Sequence, residues 1–199
     1  MTASNFFRIS RLKDTTDPQN LINLLTEGST FDIVPAPLQW GRKKEVIAKK
    51  WFSKIHKAEH GYVDIQDQGL IVSKQYVYMG ASPDGLCVCK QCGQFLLEIK
   101  CPYSKRNFAP KHAAKDHCFE DADHKLLLDP KSAWYAQIQG QLGICKLNLC
   151  KLVVYTTKGI KVIDVPFDEL FWKSLQEKLV KFYIEKLGPS TLISLTDGK

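Results

Sequence analysis

The sequence predicts an α/β (α+β) domain in which helices pack on one central sheet. Segments with helical periodicity alternate along the chain with short runs rich in β-branched and aromatic residues. The resulting order is helix, strands, helix, strands, helix. A length of 199 residues suits one domain with its own core, and 44% hydrophobic and 25% charged residues are ordinary values for a globular protein.

Three segments have the pattern of amphipathic helices: residues 43–58, 133–144 and 168–186. In the first, apolar side chains recur at every fourth position. The second contains Gly140 and Gly143, which leave small faces for close packing. Asp168 precedes the third as an N-cap.

Strands are predicted between these helices, in short apolar runs bounded by turn residues. The runs are residues 70–72, 76–79 and 95–99, followed by a hairpin of 152–155 and 160–163. The short apolar patches within residues 1–30 predict one or two short helices. Residues 102–130 carry many charges and three histidines, which indicates an irregular insertion.

The strongest chemical signal is Asp84 followed by Glu98-Ile99-Lys100. Alternation along a strand puts Glu98 and Lys100 on one face, with Ile99 pointing into apolar packing. If the strand that begins at Asp84 pairs with this one, both carboxylates and the lysine meet. Two close carboxylates need compensating positive charge, which Mg²⁺ supplies through oxygen ligands. Without further support, a non-functional explanation also accounts for these residues, in which Glu98 and Lys100 are an exposed pair on a strand and Asp84 is a turn residue.

Five segments in order resemble the phage-lambda exonuclease and YqaJ-type viral recombinase nucleases of the PD-(D/E)xK superfamily. They are TAS (2–4), WGRKKE (40–45), SPDGL (82–86), LEIKCPY (97–103) and SAWYAQIQGQL (132–142). The resemblance covers nearly the whole chain. It implies a restriction-endonuclease-like αβββαβ core with a central mixed sheet flanked by helices. It also implies digestion of double-stranded DNA from a 5′ end, in recombination or repair, with Mg²⁺ or Mn²⁺.

The same resemblance implies a role for each matching residue. The metal would be held by Asp84, Glu98, the backbone carbonyl of Ile99 and, directly or through water, Glu45. Lys100 would act on the nucleophilic water, and Gln137 would position water or substrate. Ser4 and Ser82 would contact a terminal phosphate.

The resemblance also shapes the predicted domain organisation. We expect a single nuclease domain over 1–199, with an N-terminal segment (1–40), a catalytic core (41–187) and a tail (188–199). The chain begins inside the family's opening motif, so the N-terminal segment is expected to be shortened. The arginine that family members use for the 5′ phosphate then has no counterpart before Thr2, and Arg8 or Arg11 are the candidates to replace it.

Seven cysteines in a chain expected to be intracellular argue against a disulfide framework. Cys89 and Cys92, in a Cys-x-x-Cys-Gly turn, form a common half-site for structural Zn²⁺. The other ligands would come from the charged insertion, where the candidates are His112, His117 and Cys118. Reduced cysteines in a tight turn are the alternative.

The formal net charge of +7 favours a polyanionic partner such as DNA. Basic residues concentrate in the first predicted helix, where Lys50 and Lys54 are the candidate DNA contacts. A solvated helix face is the simpler explanation of that cluster taken alone. No apolar run is long enough for a bilayer, and Met1–Asn5 lacks the pattern of a secretory signal. We expect an intracellular protein without a membrane partner, in cytoplasm or nucleus.

Two other functions remain open at the level of sequence. One is a nuclease fold that binds nucleic acid without cutting it, and the other is an endonuclease or single-strand nuclease of the same superfamily. The retention of Asp84, Glu98 and Lys100 favours an enzyme, since a degenerate domain usually loses one of them. The family resemblance also implies a ring of three subunits and a single-strand annealing protein as partner.

Overall fold

The computed structural model of the protein describes residues 1–27 and 33–197, with side chains through residue 192. Its helices are α1 (Ala3–Ser10), α2 (Gln19–Thr26), α3 (Ala36–His60), α4 (Pro110–Ala113), α5 (Ala133–Cys145), α6 (Glu169–Phe182) and α7 (Gly188–Asp197). Its strands are β1 (Asp64–Gln66), β2 (Ile71–Val72), β3 (Gly80–Ala81), β4 (Gly85–Cys89), β5 (Gly93–Lys100), β6 (Cys118–Glu120), β7 (Leu126–Leu128), β8 (Leu149–Thr156) and β9 (Gly159–Pro166). A short 3₁₀-helix lies at Tyr103–Lys105, and a π-helical turn at Tyr183–Leu187 joins α6 to α7.

Five strands form the central sheet, in the order β1-β4-β5-β8-β9. Only the β5–β8 pair among them is parallel, and the other three pairs are antiparallel. This mixed sheet confirms the predicted fold class. The parallel pair requires a crossover, and α5 lies within the segment that makes it.

Alternation along β5 sorts its side chains between two helical layers. Phe95, Leu97 and Ile99 pack with buried residues of α3. Leu96 packs on the other face, with buried residues of α5. Glu98 and Lys100 share the face of Leu96 because their positions differ by two or four residues. The reactive residues predicted on β5 therefore point to α5, and Ile99 points to α3.

A further apolar cluster joins α1, α5 and α6. Two glycines of α5 make close approaches in this region: an added Cβ would lie 2.5 Å from the ring of Phe6 at Gly140 and 2.4 Å from the ring of Trp172 at Gly143. Phe6 is fully buried, so this ring has no free space to move into. The small faces predicted on the second helix therefore receive α1 at Gly140 and α6 at Gly143.

Several predicted elements differ from the structure at their ends. The first long helix begins at Ala36 rather than at residue 43, because Pro35 caps it and Pro37 is tolerated in its first turn. Residues 76–79 form a turn instead of a strand, closed by a hydrogen bond from Met79 N to Tyr76 O. The predicted tail, residues 188–199, begins as α7, and its last two residues lie outside the described chain.

The insertion predicted at residues 102–130 contains two small elements. They are α4 and the β6–β7 hairpin. The α6 helix begins as predicted, since the side chain of Asp168 accepts a hydrogen bond from Phe171 N at 2.9 Å. None of the helices in the described part of the chain combines the length and apolarity needed to span a membrane.

Candidate active site

Strand register places Asp84 beside Glu98. Gly85, the first residue of β4, pairs with Leu97 of β5, so the preceding residue lies opposite Glu98. The Asp84 side chain accepts a hydrogen bond from the backbone N–H of Ile99 at 2.6 Å. This bond ties the turn before β4 to the middle of the reactive segment on β5.

Glu98 is a buried carboxylate that accepts three hydrogen bonds from side chains. Only 3% of the residue is exposed. One oxygen accepts from Lys100 Nζ and from Gln137 Nε2, both at 2.7 Å, and the other accepts from Gln141 Nε2 at 2.8 Å. Lys100 Nζ also donates to Gln137 Oε1 at 2.8 Å, which closes a triangle of charge-assisted contacts.

Acidic charge is in excess at this position. Burial, followed by the charge of Glu98, raises the pKa of Asp84 to about 7, and the Glu45 carboxylate adds to the shift. The Ile99 N–H and the Lys100 ammonium oppose this shift in pKa without cancelling it. A divalent cation would supply the missing positive charge, and carboxylate oxygens are the ligands that Mg²⁺ prefers.

Glu45 reaches the site from the opposite layer. It lies on α3, which packs on the face of the sheet away from α5. Its charge raises the pKa of both Asp84 and Cys101, although burial is the main cause in each case. The carboxylate therefore approaches the end of the sheet where Asp84 lies.

The basic residues singled out on α3 point elsewhere. Lys50 and Lys54 are exposed. On a regular helix they project about 140° and 180° away from Glu45. The structure therefore does not bring these two lysines to the carboxylates.

The two candidate phosphate-binding serines are both exposed. A bridge between Thr2 and Gly80 lays the N-terminal segment alongside the chain that leads to Ser82. Ser4 lies at the start of α1 and contacts the Thr2 hydroxyl at 3.1 Å. Both serines thus belong to the same side of the molecule.

Gln141 is a site residue that sequence reasoning did not single out. It lies one helical turn after Gln137 on α5, and the two amides hold different oxygens of Glu98. Its own amide oxygen has no hydrogen-bond partner within the described part of the chain. The signal available in the sequence was the four-residue spacing, which puts both glutamines on one helix face.

Cys89 and Cys92 lie at the far end of the β4–β5 hairpin, away from Asp84 and Glu98. The partners predicted for them in the insertion are elsewhere. His117 stacks on Trp134 at 3.8 Å, and Cys118 is buried in the core beside α5. The prediction that the insertion supplies the remaining zinc ligands is therefore wrong. The metal-binding side chains beside the two cysteines come from α3 instead.

Comparison with known proteins matches residues 1–148 to the family model described as "YqaJ-like viral recombinase domain". Among solved structures, the alkaline exonuclease LHK-Exo from Laribacter hongkongensis has a TM-score of 0.70 at 20% identity, covering 100% of this chain and 93% of that one. Its complex with dAMP has a TM-score of 0.72 at 21% identity with the same coverage. A phage-related exonuclease from Haemophilus somnus 129PT has a TM-score of 0.62 at 13% identity, covering 98% and 96%. Comparison with curated proteins gives no match.

Proposed function

Because the chain belongs to the family of YqaJ-like viral recombinase domains, we propose that it is a Mg²⁺- or Mn²⁺-dependent nuclease that digests double-stranded DNA from 5′ ends. Family membership and the fold shared with exonucleases support a nuclease. The exonuclease polarity and the choice of duplex ends are the more specific parts of the proposal. They rest on the resemblance of the five sequence motifs.

The observation that carries the proposal is the convergence of Asp84, Glu98 and Lys100 at one end of the sheet. Two acidic residues and a lysine meet there with Gln137 and Gln141. A purely structural ion pair needs one carboxylate for one lysine. Burial, and after it the additional carboxylates, raise the pKa of Asp84, so a divalent cation would stabilise the ionised site.

The residues that would hold the cation are the side chains of Asp84 and Glu98, the Ile99 carbonyl and Glu45. When bound, Mg²⁺ supplies a Lewis acid that polarises a phosphoryl oxygen and lowers the pKa of a coordinated water. Each oxygen of Glu98 has two lone pairs: Oε1 uses both for Lys100 and Gln137, whereas Oε2 accepts only from Gln141 and keeps one lone pair for a metal.

Lys100 has the position and charge to stabilise the phosphodiester as negative charge grows on it. Its ammonium has three protons, and two of them are donated to Glu98 and Gln137. The third can be donated to a water or to a phosphate oxygen. Gln137 fixes the direction of that proton by holding both Lys100 and Glu98.

A terminal phosphate would be recognised on the side of Ser4 and Ser82. Both hydroxyls are exposed on the side where the N-terminal segment meets the turn before β4. The basic face of α3 that carries Lys50 and Lys54 would contact the DNA backbone farther from the reacting bond, without sequence preference. A ring of three subunits enclosing the duplex, and a single-strand annealing protein as partner, complete the proposal.

The decisive experiment compares a linear, 5′-phosphorylated duplex with a covalently closed circle in Mg²⁺. We expect the wild-type protein to shorten the linear duplex from its 5′ ends and to spare the circle. Cleavage of the circle would identify an endonuclease. Binding of both DNAs without cleavage would identify a nuclease fold that only holds nucleic acid.

The matched variant in this experiment is Lys100→Ala. Loss of one charged donor to the reacting phosphate should slow cleavage by about 100- to 1000-fold. DNA affinity should be nearly unchanged, because many other contacts bind the backbone. A Lys100→Ala protein that cuts at the wild-type rate would contradict the assignment of this site.

A further inference from the structure

Four side chains at the tip of the β4–β5 hairpin form a second cluster of metal-binding groups. They are His56 and His60 of α3 with Cys89 and Cys92 of the hairpin, and their ligand atoms all lie within 4.8 Å of one another. Cys92 Sγ is 3.9 Å from His56 Nε2 and 3.7 Å from His60 Nδ1. Ligands of a tetrahedral Zn²⁺ with two sulfurs and two nitrogens are separated by roughly 3.3–3.8 Å. The cluster is therefore close to the size that a zinc ion needs.

The hairpin brings its two cysteines together through a tight turn. Cys89 ends β4 on the face that packs against α3, and Gly93 takes φ = 72° directly after Cys92. A residue with a Cβ would be strained there. Both cysteines pack with the cluster that contains residues of α3, so the turn places the two thiols on the side of the hairpin that faces this helix.

The helix presents its two histidines one turn apart. The rings of His56 and His60 are stacked with centroids 4.3 Å apart. His56 is only 3% exposed and lies against the rings of Phe52 and Phe95. Its Nε2 faces Cys92 Sγ inside the protein rather than solvent.

We propose that His56, His60, Cys89 and Cys92 bind a structural Zn²⁺ that fastens α3 to the β4–β5 hairpin. Two thiolates and two neutral imidazoles balance the charge of the ion. Four protein ligands fill its coordination, so this site has no open position for substrate and differs in kind from the oxygen-rich site at Asp84 and Glu98.

The position of the ion gives it a consequence for the active site. Glu45 precedes His56 by a helical length of about 16 Å. Asp84 precedes Cys89 by a strand length of about 17 Å. The α3 helix and the β4 strand therefore run side by side over the same length. Glu45 lies near Asp84 at one end, and the four zinc ligands lie at the other. Fixing the far end sets the position of α3 along the hairpin, and thereby the approach of Glu45.

The first test measures zinc in the full chain, purified without a metal-affinity step or a chelator. We expect about one zinc per chain, and a Co²⁺-substituted protein with the visible absorption of tetrahedral thiolate coordination. Removing zinc with a zinc-selective chelator, in excess Mg²⁺, should lower Tm by about 10 °C or more. These readouts use the wild-type protein and need neither DNA nor cleavage.

The second test separates this ligand set from the one in the insertion. Cys92→Ser and His60→Ala should lose the zinc, whereas His112→Ala and Cys118→Ala should keep it. Wild-type protein from zinc-supplemented cells that contains no zinc, or that has a Cys89–Cys92 disulfide in its place, would overturn the proposal. Retention of the full zinc content by both Cys92→Ser and His60→Ala would overturn it as well.

Discussion

The Glu98 carboxylate is held inside the protein by hydrogen bonds from three side chains of two elements. Lys100 supplies the charge, and Gln137 and Gln141 supply neutral donors from α5. A buried carboxylate that loses a donor bears most of the desolvation cost of the missing bond. The environment of each oxygen of Glu98 is therefore set by a different glutamine.

We expect Gln141→Leu to weaken Mn²⁺ binding by about 10- to 100-fold, since it removes the only donor that the described residues give to one Glu98 oxygen. Isothermal titration with Mn²⁺ measures this directly. Gln139→Leu is the matched control, because Gln139 is also buried on α5 but bonds to Pro166 and Asp168 instead. Equal Mn²⁺ affinity in the two variants would refute the role given to Gln141.

The roles of residues on β4 and β5 are easier to predict from the sequence than the roles of residues on the helices. The alternation of a strand fixes which neighbours share a face, so the sequence alone is enough to sort Glu98, Lys100 and Ile99. It is not enough for the partners of Cys89, because a turn and a helix far apart in sequence meet only through tertiary packing. His56 and His60 have the right four-residue spacing, but nothing local connects them to the hairpin.

At the scale of elements, the contact between α1 and α5 depends on the absence of a side chain at Gly140. The ring of Phe6 occupies the space that a Cβ would need. Helices approach most closely where one of them has glycine, and Phe6 then covers the part of α5 that precedes Gln141. The same helix thus presents an apolar surface to α1 and polar residues to Glu98.

We expect Gly140→Ala to destabilise the protein by about 2 kcal/mol through overpacking against Phe6, more than the gain in helix propensity can offset. Urea unfolding measures the change. In the double variant with Phe6→Leu, the penalty of the alanine should shrink because the smaller side chain leaves space. An equal penalty in both backgrounds would show that the Phe6 contact is not its cause.

Element boundaries are harder to predict from the sequence than element types. Pro35 and Pro37 have the pattern of a break ahead of the first long helix, yet they belong to its cap and first turn. The aromatic run at residues 76–79 has the composition of a strand, but Met79 N–H bonds back to Tyr76 and closes a turn. Local backbone geometry decides both cases, and composition alone does not encode it.

For the whole molecule, the acidic cluster around Asp84 is a source of instability at neutral pH when no metal is bound. Asp84 has a pKa of about 7 in the folded state, well above its ordinary value of 3.8. Because the folded-state pKa is the higher one, folding favours the protonated carboxyl. The stability associated with that proton is fully present below about pH 4 and is lost as the pH rises through about 7.

We therefore expect Asp84→Asn to match the wild type in unfolding free energy near pH 4 and to exceed it by about 2 kcal/mol at pH 8, without added metal. Denaturant unfolding at the two pH values tests this. Added Mg²⁺ at pH 8 should stabilise the wild type and leave the asparagine variant unchanged. A difference between the proteins that does not vary with pH would contradict the shifted pKa.

The position of β5 between β4 and β8 has a consequence for motion. Both edges of this strand are paired, and its central residues are buried on both faces. Amide groups in such a strand exchange with solvent only when much of the domain unfolds, so they mark the part of a chain that opens last. Glu98 and Lys100 are thus fixed to the least mobile framework of the protein. If the proposed activity is correct, adjustment to a substrate would come from the DNA and from the peripheral elements, while Glu98 and Lys100 keep their positions.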